Sequence, residues 1–355
     1  MTLPQAPGAA RHQAQRAAGR RLRLGFLTHV EGGADIAESY LNATELFVAA
    51  DELGFDSGWV AQHHFSDDPT GGLAAPWVFL AHAAARTSRI HLGTGITLAS
   101  IEDPIRLAED VAVVETLSGG RVELGVGSGF GESTFRAFGR DHERRRELTT
   151  ENFARTRAAL LGEPIDDVGT VIKAPSPDLV RSRSWHAVFS AGGAAHVADE
   201  GSNLLLNRAA YGYEEPTDVV QRPWAEAYLA GWRQRRAPRI GLSRLIFPAA
   251  DRATSLRHLA DGVLDGVRRM SGTRNLGPAD LENALFRFNA YYGHPDEITA
   301  RLQTERVLPV ATDLLAQFNP GRPTLDASIH ALELIATQIA PELGWTRSSA
   351  VPVPA

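Results

Sequence analysis

From Arg21 onward, short apolar runs alternate with longer segments whose apolar residues recur every three or four positions. That texture argues for repeated strand and helix units around a parallel sheet. Eight runs have the length and residue type of strands: 22–28, 57–61, 90–98, 122–126, 186–190, 203–207, 240–247 and 311–318. Helical stripes fit between them. Leu46, Phe47, Ala50 and Leu53 share one face, with Gly54 following where a left-handed cap belongs. Leu107, Val111, Val114 and Leu117 form another stripe that stops at Gly119 and Gly120, and Ile329, Leu332, Ile335 and Ile339 form a last one that stops at Pro341. Eight such units in one chain predict a closed α/β fold, the (β/α)8 TIM barrel, occupying residues 21–345 as one domain. Two stretches exceed a simple barrel. Residues 164–184, before strand 5, and 271–294, before strand 8, read as irregular insertions, the kind of long connection that builds lids and substrate-binding loops. Residues 1–20 read as a disordered leader and 346–355 as a tail.

The competing architecture is a doubly wound open sheet, which usually carries G-x-G-x-x-G after its first strand. Here the first run is followed by Glu31-Gly32-Gly33-Ala34, and the cluster from Gly125 to Gly131 places Phe130, Glu132 and Thr134 where the last glycine would fall. The composition adds exclusions. The chain has 355 residues, a formal charge of -6 and scattered Lys and Arg, so no basic stripe recruits nucleic acid. It has no cysteine, which removes disulfides, thiolate metal sites and cysteine nucleophiles. The first twenty residues hold no apolar stretch that could act as a secretory segment or membrane span, so the expectation is a cytoplasmic protein.

Candidate chemistry begins at the end of the second run, Trp59-Val60-Ala61-Gln62-His63-His64-Phe65. Side chains alternate along a strand, so His63 and His64 point apart and make a poor shared metal site. One of them should face the mouth at the C-terminal end of the barrel, where this architecture places its chemistry. Further marks follow in order: Gly93-Thr94-Gly95, the stretch from Asp103 to Asp110, Ser118-Gly119-Gly120-Arg121 leading into Val122–Gly127, Phe135-Arg136-Ala137-Phe138-Gly139, and Gly293-His294-Pro295-Asp296-Glu297. Together these resemble the luciferase-like flavin monooxygenases, densest between Trp59 and Gly139. The chain departs from that family at Gln62, where its usual motif has glutamate, and at Ser128, where some members have an arginine.

The resemblance implies reduced FMN as co-substrate, oxygen as oxidant and a small, mostly apolar organic molecule as acceptor of one oxygen atom. It implies deazaflavin as the alternative cofactor, with hydride transfer instead of oxygenation, or a flavin-binding barrel without turnover. Carried over residue by residue, His63 is the catalytic proton-handling group. Ser190, Ala191, Gly192 and Gly193 cradle the flavin phosphate, a role that suits a serine-capped helix start. Arg146 adds a charge, Gly127 and Ser128 border the cofactor, and Gly95 precedes a cis peptide bond to Ile96 beneath the flavin ring. Trp59, His64, Phe65, Phe130 and Arg208 are expected in the substrate pocket, and Trp77 and Tyr211 among its apolar surroundings. No metal is implied. A separate flavin reductase and a homodimer complete the expectation.

Overall fold

The strands form because nearly every residue in them is apolar or small and buried on both faces, the pattern of a parallel sheet covered by helices. In the computed structural model, which describes residues 21–31, 35–65, 71–270 and 280–347, ten strands appear in chain order. They are β1 (Arg23–Thr28), β2 (Ser57–Val60), β3 (His91–Thr94), β4 (Thr97–Leu98), β5 (Val122–Gly127), β6 (Ser184–Val188), β7 (Asn203–Leu206), β8 (Ile240–Pro248), β9 (Ala290–Gly293) and β10 (Asp313–Gln317). All pairings are parallel, and the ring β1-β2-β3-β5-β6-β7-β8-β10 closes on itself through β10 beside β1. The protein is a (β/α)8 barrel. The expected leader, residues 1–20, and the end of the expected tail lie outside the described residues.

Helices cover the ring from outside. The helix Ile36–Leu53 starts at Asp35, whose carboxylate accepts from the backbone N–H of Glu38, and ends at Gly54 with φ 89°. The helix Pro104–Leu117 starts at Asp103, which accepts from the N–H groups of Ile105 and Arg106. Its buried stripe is Leu107, Val111 and Val114, but Leu117 is exposed, because the stripe rotates off the core before the glycines. The last apolar stripe is a helix, Leu325–Leu334, that loosens into a π turn over Ile335–Ile339 before Pro341.

Four further expectations are corrected. The run 90–98 is broken at Gly95 and Ile96, whose peptide bond is cis, so the third barrel position is shared by β3 and the short β4, which pairs with β5. The fifth strand lies two residues earlier than expected and ends at Val188, because Ser190 is already the cap of the next helix. The stretch before strand 8 is not wholly irregular. Residues 271–279 lie outside the described residues, but Leu281–Arg287 is helical and Ala290–Gly293 is the extra strand β9. β8 serves both neighbours: Gly241 to Leu245 pair with β10, and Leu245 to Pro248 pair with β9. In the stretch before strand 5, Pro177–Ser182 forms a short helix.

Inside the ring, Leu27, Trp59, Trp185, Leu205 and Leu315 make a separate apolar layer. Below it, toward the N-terminal ends of the strands, sits an ionic cluster. Glu123 is wholly buried and takes Arg239 Nη1 at 3.1 Å, His91 Nδ1 at 3.3 Å and Arg23 Nη2 at 3.7 Å. Asp313 takes Arg239 at 2.7 Å and Arg23 at 3.1 Å. Among the described residues no helix is long and apolar enough to cross a membrane.

Candidate active site

The opposite, C-terminal ends of the strands carry a different kind of polar group. His29 follows β1, and the segment after β2 is held in place by its backbone: Gln62 N–H donates to the Ile96 carbonyl at 3.1 Å and His63 N–H to the Leu73 carbonyl at 2.9 Å. This sets His63 Nε2 3.0 Å from His29 Nδ1, with the rings stacked 5.0 Å apart. His29 Nε2 in turn lies 3.2 Å from Nη1 of Arg208, which follows β7. Arg208 is nearly buried, donates from Nε to the Tyr211 hydroxyl at 2.9 Å and from Nη1 to the Gln317 side chain, and stacks over Phe288. Gln317, at the end of β10, donates to Ser243 of β8. One chain of hydrogen bonds therefore links the ends of β1, β2, β7 and β10 to the middle of β8.

Glu31 and Asn319 buttress that chain. The Asn319 amide donates to Glu31, and its carbonyl oxygen accepts from the backbone N–H of His29 at 3.1 Å. Burial pushes the Glu31 carboxyl above its ordinary range, against the opposing pull of Asn319, Arg208, His63 and Arg269. Backbone strain gathers in the same place. Among the described residues the non-glycine positions with positive φ are Val30, Phe65 and Asn289, which lie after β1, after β2 and before β9, and Asn289 donates to the Arg208 carbonyl.

His64 points the other way, as strand alternation predicts. It is buried, 2.9 Å from the Gln62 amide nitrogen and edge-on to Phe138 at 4.9 Å. Gln62 is a structural tie. Its side-chain oxygen accepts from Leu98 N–H at 2.7 Å and its nitrogen donates to Glu102 at 2.7 Å, so the amide holds β2 to β4 and to a carboxyl that burial pushes above its ordinary range. A glutamate here would set two carboxylates against each other, which accounts for the amide.

The floor between these groups is apolar. Ile96 and Ala187 lie half-buried on the Trp59, Trp185, Leu27, Leu205 and Leu315 layer. Trp59 is therefore not a pocket wall: it is wholly buried, and its indole N–H is used by Ser57 at 2.8 Å. Trp77 is corrected likewise, because it packs into the main core beneath the helices. Glycines shape the floor: a Cβ on Gly95 would come within 2.6 Å of Leu27, and one on Gly127 within 2.7 Å of Ile96. Ser128 follows at the rim, its carbonyl taken by Ser100.

Across the floor from the histidines, Ser190 caps the helix Ala191–Asp199 by accepting from Gly193 N–H at 3.1 Å. A Cβ on Gly192 would meet nothing within 4 Å, so this helix start opens freely outward. The N–H groups of Ala191 and Gly192, in the first turn, have no intrahelical acceptor, which is the donor set that a phosphate needs. Phe130 and Phe189, both partly exposed, meet edge to face at 5.2 Å beside it. Phe65 is exposed, and so is Arg146, in the first turn of its helix, where Arg144 pairs with Glu147 and Arg145 with the His142 carbonyl. Among the described residues no group of three His, Asp or Glu side chains is placed to hold a metal ion.

An anion cradle, an apolar floor and a polar rim are the features that a phosphorylated flavin or deazaflavin would need. His29, Glu31, Ser243, Gln317 and Asn319 were missed by the sequence reasoning, although the signal was there: each lies in or just after a predicted strand, and the residue at a strand's C-terminal end faces a barrel's mouth. Comparison with known proteins agrees with the geometry. The chain is 33% identical over 123 residues to the alkanal monooxygenase alpha chain of the Kryptophanaron alfredi symbiont, a match covering 35% of this chain and 34% of that one. The first matched curated relatives are covered over a third to a half of their own lengths. Among solved structures, the FMN complex of the oxygenating constituent of 3,6-diketocamphane monooxygenase from Pseudomonas putida superposes with a TM-score of 0.72 at 16% identity, over 92% of this chain and 100% of that one. The coenzyme F420 dependent tetrahydromethanopterin reductase from Methanopyrus kandleri superposes with a TM-score of 0.70 at 16% identity, over 91% and 99%. The luciferase-like monooxygenase model matches residues 21–313, and the chain belongs to that family.

Proposed function

We propose that this protein is an FMN-dependent monooxygenase that uses reduced flavin and oxygen to oxygenate a small, mostly apolar organic substrate at the C-terminal mouth of the barrel. The observation that carries it is the pairing, across one apolar floor, of a freely opening helix start at Ser190 to Gly193 with the His63–His29–Arg208 chain. Ala191 and Gly192 would bind the phosphate through backbone N–H groups and the helix dipole, while Ser190 and Gly193 hold the helix start in place. Ile96 and Ala187 would carry the flavin ring, which supplies the electrons for oxygen reduction. His63 holds or moves a proton at the rim, Phe65 and Phe130 offer apolar contact to substrate, and the closed layer below keeps water from entering through the barrel.

A separate flavin reductase is the proposed source of electrons, because no nicotinamide fingerprint stands in the sequence. A homodimer is proposed through the outer helices, where Leu41, Val78, Val113 and Leu117 are exposed apolar residues. Deazaflavin is the second reading, favoured by the small Ser128 within the glycine-rich loop after β5. The test is rapid mixing of protein and reduced FMN with oxygen, with and without medium-chain aldehydes and cyclic ketones. Oxygen uptake coupled to an oxygenated product supports the proposal. Flavin reoxidation that is indifferent to the protein overturns it.

A further inference from the structure

The extra strand β9 pairs with β8 outside the eight-stranded ring, and a cleft of about 330 Å³ opens beside it. That is room for a small organic ligand, at the lower end of the usual range. The cleft is built by β9, the helix Leu281–Arg287, the first residue of the helix Arg252–Met270 and the last turn of the helix Pro295–Gln303. Among the described residues, its lining shares none with the Ser190–Gly193 helix start, the apolar floor or the His63–His29–Arg208 chain. It abuts the mouth at one point, Asn289, whose side chain donates to the Arg208 carbonyl at 3.3 Å.

One wall is apolar: Leu285 is buried, Phe286 beside it is exposed, and Tyr292 of β9 adds a second ring. The basic side holds two arginines in different states. Glu297 and Arg301 stand four residues apart on one helix, the spacing at which a glutamate and an arginine commonly pair. Here Glu297 Oε2 instead takes Arg252 Nε at 3.0 Å, so that charge is matched. Arg301 is left over the Tyr291 ring at 4.8 Å, and among the described residues its guanidinium makes no hydrogen bond and no ion pair. Its fork of N–H donors has the shape of a carboxylate receptor. Glu282, the acidic residue that lines the cleft, pairs with neither arginine and disfavours a doubly charged phosphate.

We infer that this cleft is a second binding site, which takes a small aromatic carboxylate with its acid group on Arg301 and its ring against Phe286 and Leu285. One unmatched cation suits one negative charge, and flat rings at the wall suit a flat ligand.

The test is calorimetric titration of the full-length, flavin-free protein with 2-naphthoate, 2-naphthamide, octanoate and inorganic phosphate. Saturable binding of 2-naphthoate is expected, with the other three weaker by about tenfold or more. Arg301→Met and Phe286→Ser change exposed side chains, so both should unfold at the wild-type temperature. Both should weaken 2-naphthoate, Arg301→Met by about tenfold or more, whereas Gly192→Asp, which alters the mouth, should bind it as the wild type does. Absence of saturable binding overturns the inference, as does an affinity unchanged in Arg301→Met, matched by the amide, octanoate or phosphate, or lost in Gly192→Asp. The titration uses no flavin and no oxygen, so its outcome and that of the monooxygenase proposal are read separately.

Discussion

The two ends of the barrel interior are both polar, yet they are built on opposite rules. At the N-terminal end, Glu123 and Asp313 meet Arg239, Arg23 and His91, so opposite charges are paired with one another and closed over. At the C-terminal end Arg208, His29 and His63 form a hydrogen-bonded chain, beside an uncovered helix start and three non-glycine residues with positive φ. The first arrangement spends its charges on one another across the bottom of the barrel. The second holds donors and acceptors in fixed orientations where a ligand can reach them. Charge alone does not mark a site; hydrogen-bonding groups gathered at an open helix start and strand ends do.

That contrast predicts where substitutions act. The largest effect should come from Glu123→Ala, which leaves buried Arg239 with Asp313 alone and takes the carboxylate from His91, and should cost roughly 3–5 kcal/mol of stability, read by denaturant unfolding. Burial alone would raise the Glu123 carboxyl, but Arg239, His91 and Arg23 hold it far below its ordinary value of 4.5. Its stabilising contribution is therefore complete above that value and is lost as the pH falls below it. Glu123→Ala should flatten this acid slope.

Next is His63→Ala, expected to lower turnover by roughly 10²-fold or more while leaving flavin affinity nearly intact, as read by single-turnover kinetics and titration. Its neighbour separates the two roles. His64→Ala removes a buried ring from Gln62 and Phe138 and should cost about 1–3 kcal/mol of stability, with turnover reduced only as far as the fold is. Equal kinetic losses in both variants would erase the distinction between mouth and packing histidine.

The smallest effect on the fold, and a selective one on the ligand, should come from Gly192→Asp. The new side chain has open space, and an acidic residue favours a helix start, so thermal stability should hold or rise slightly. A phosphate placed there would be repelled, and FMN affinity should fall about tenfold or more, about 1.4 kcal/mol.

Much of this was legible in the chain because periodicity reports burial. The ring of eight strands follows from runs buried on both faces, and Ser190-Ala191-Gly192-Gly193 follows from a cap residue ahead of small residues. β9 was hidden because it is an extra strand outside the eightfold strand–helix alternation, with two tyrosines between Ala290 and Gly293 in place of an aliphatic run. Trp59 was misplaced because alternation tells which face a residue takes but not how deep along the barrel it lies. His29 joins His63 and Arg208 across 34 and 179 residues, and no local pattern records a hydrogen bond of that span.

The most direct measurement is an anaerobic titration of reduced FMN, beside reduced deazaflavin, into the wild-type protein, Gly192→Asp and Glu123→Gln. The account predicts saturable FMN binding to the wild type, binding weakened about tenfold or more in Gly192→Asp, and affinity retained in whatever fraction of Glu123→Gln is folded. Reduced FMN that fails to bind, or that binds Gly192→Asp as tightly as the wild type, would contradict the placement of a flavin phosphate at the C-terminal mouth.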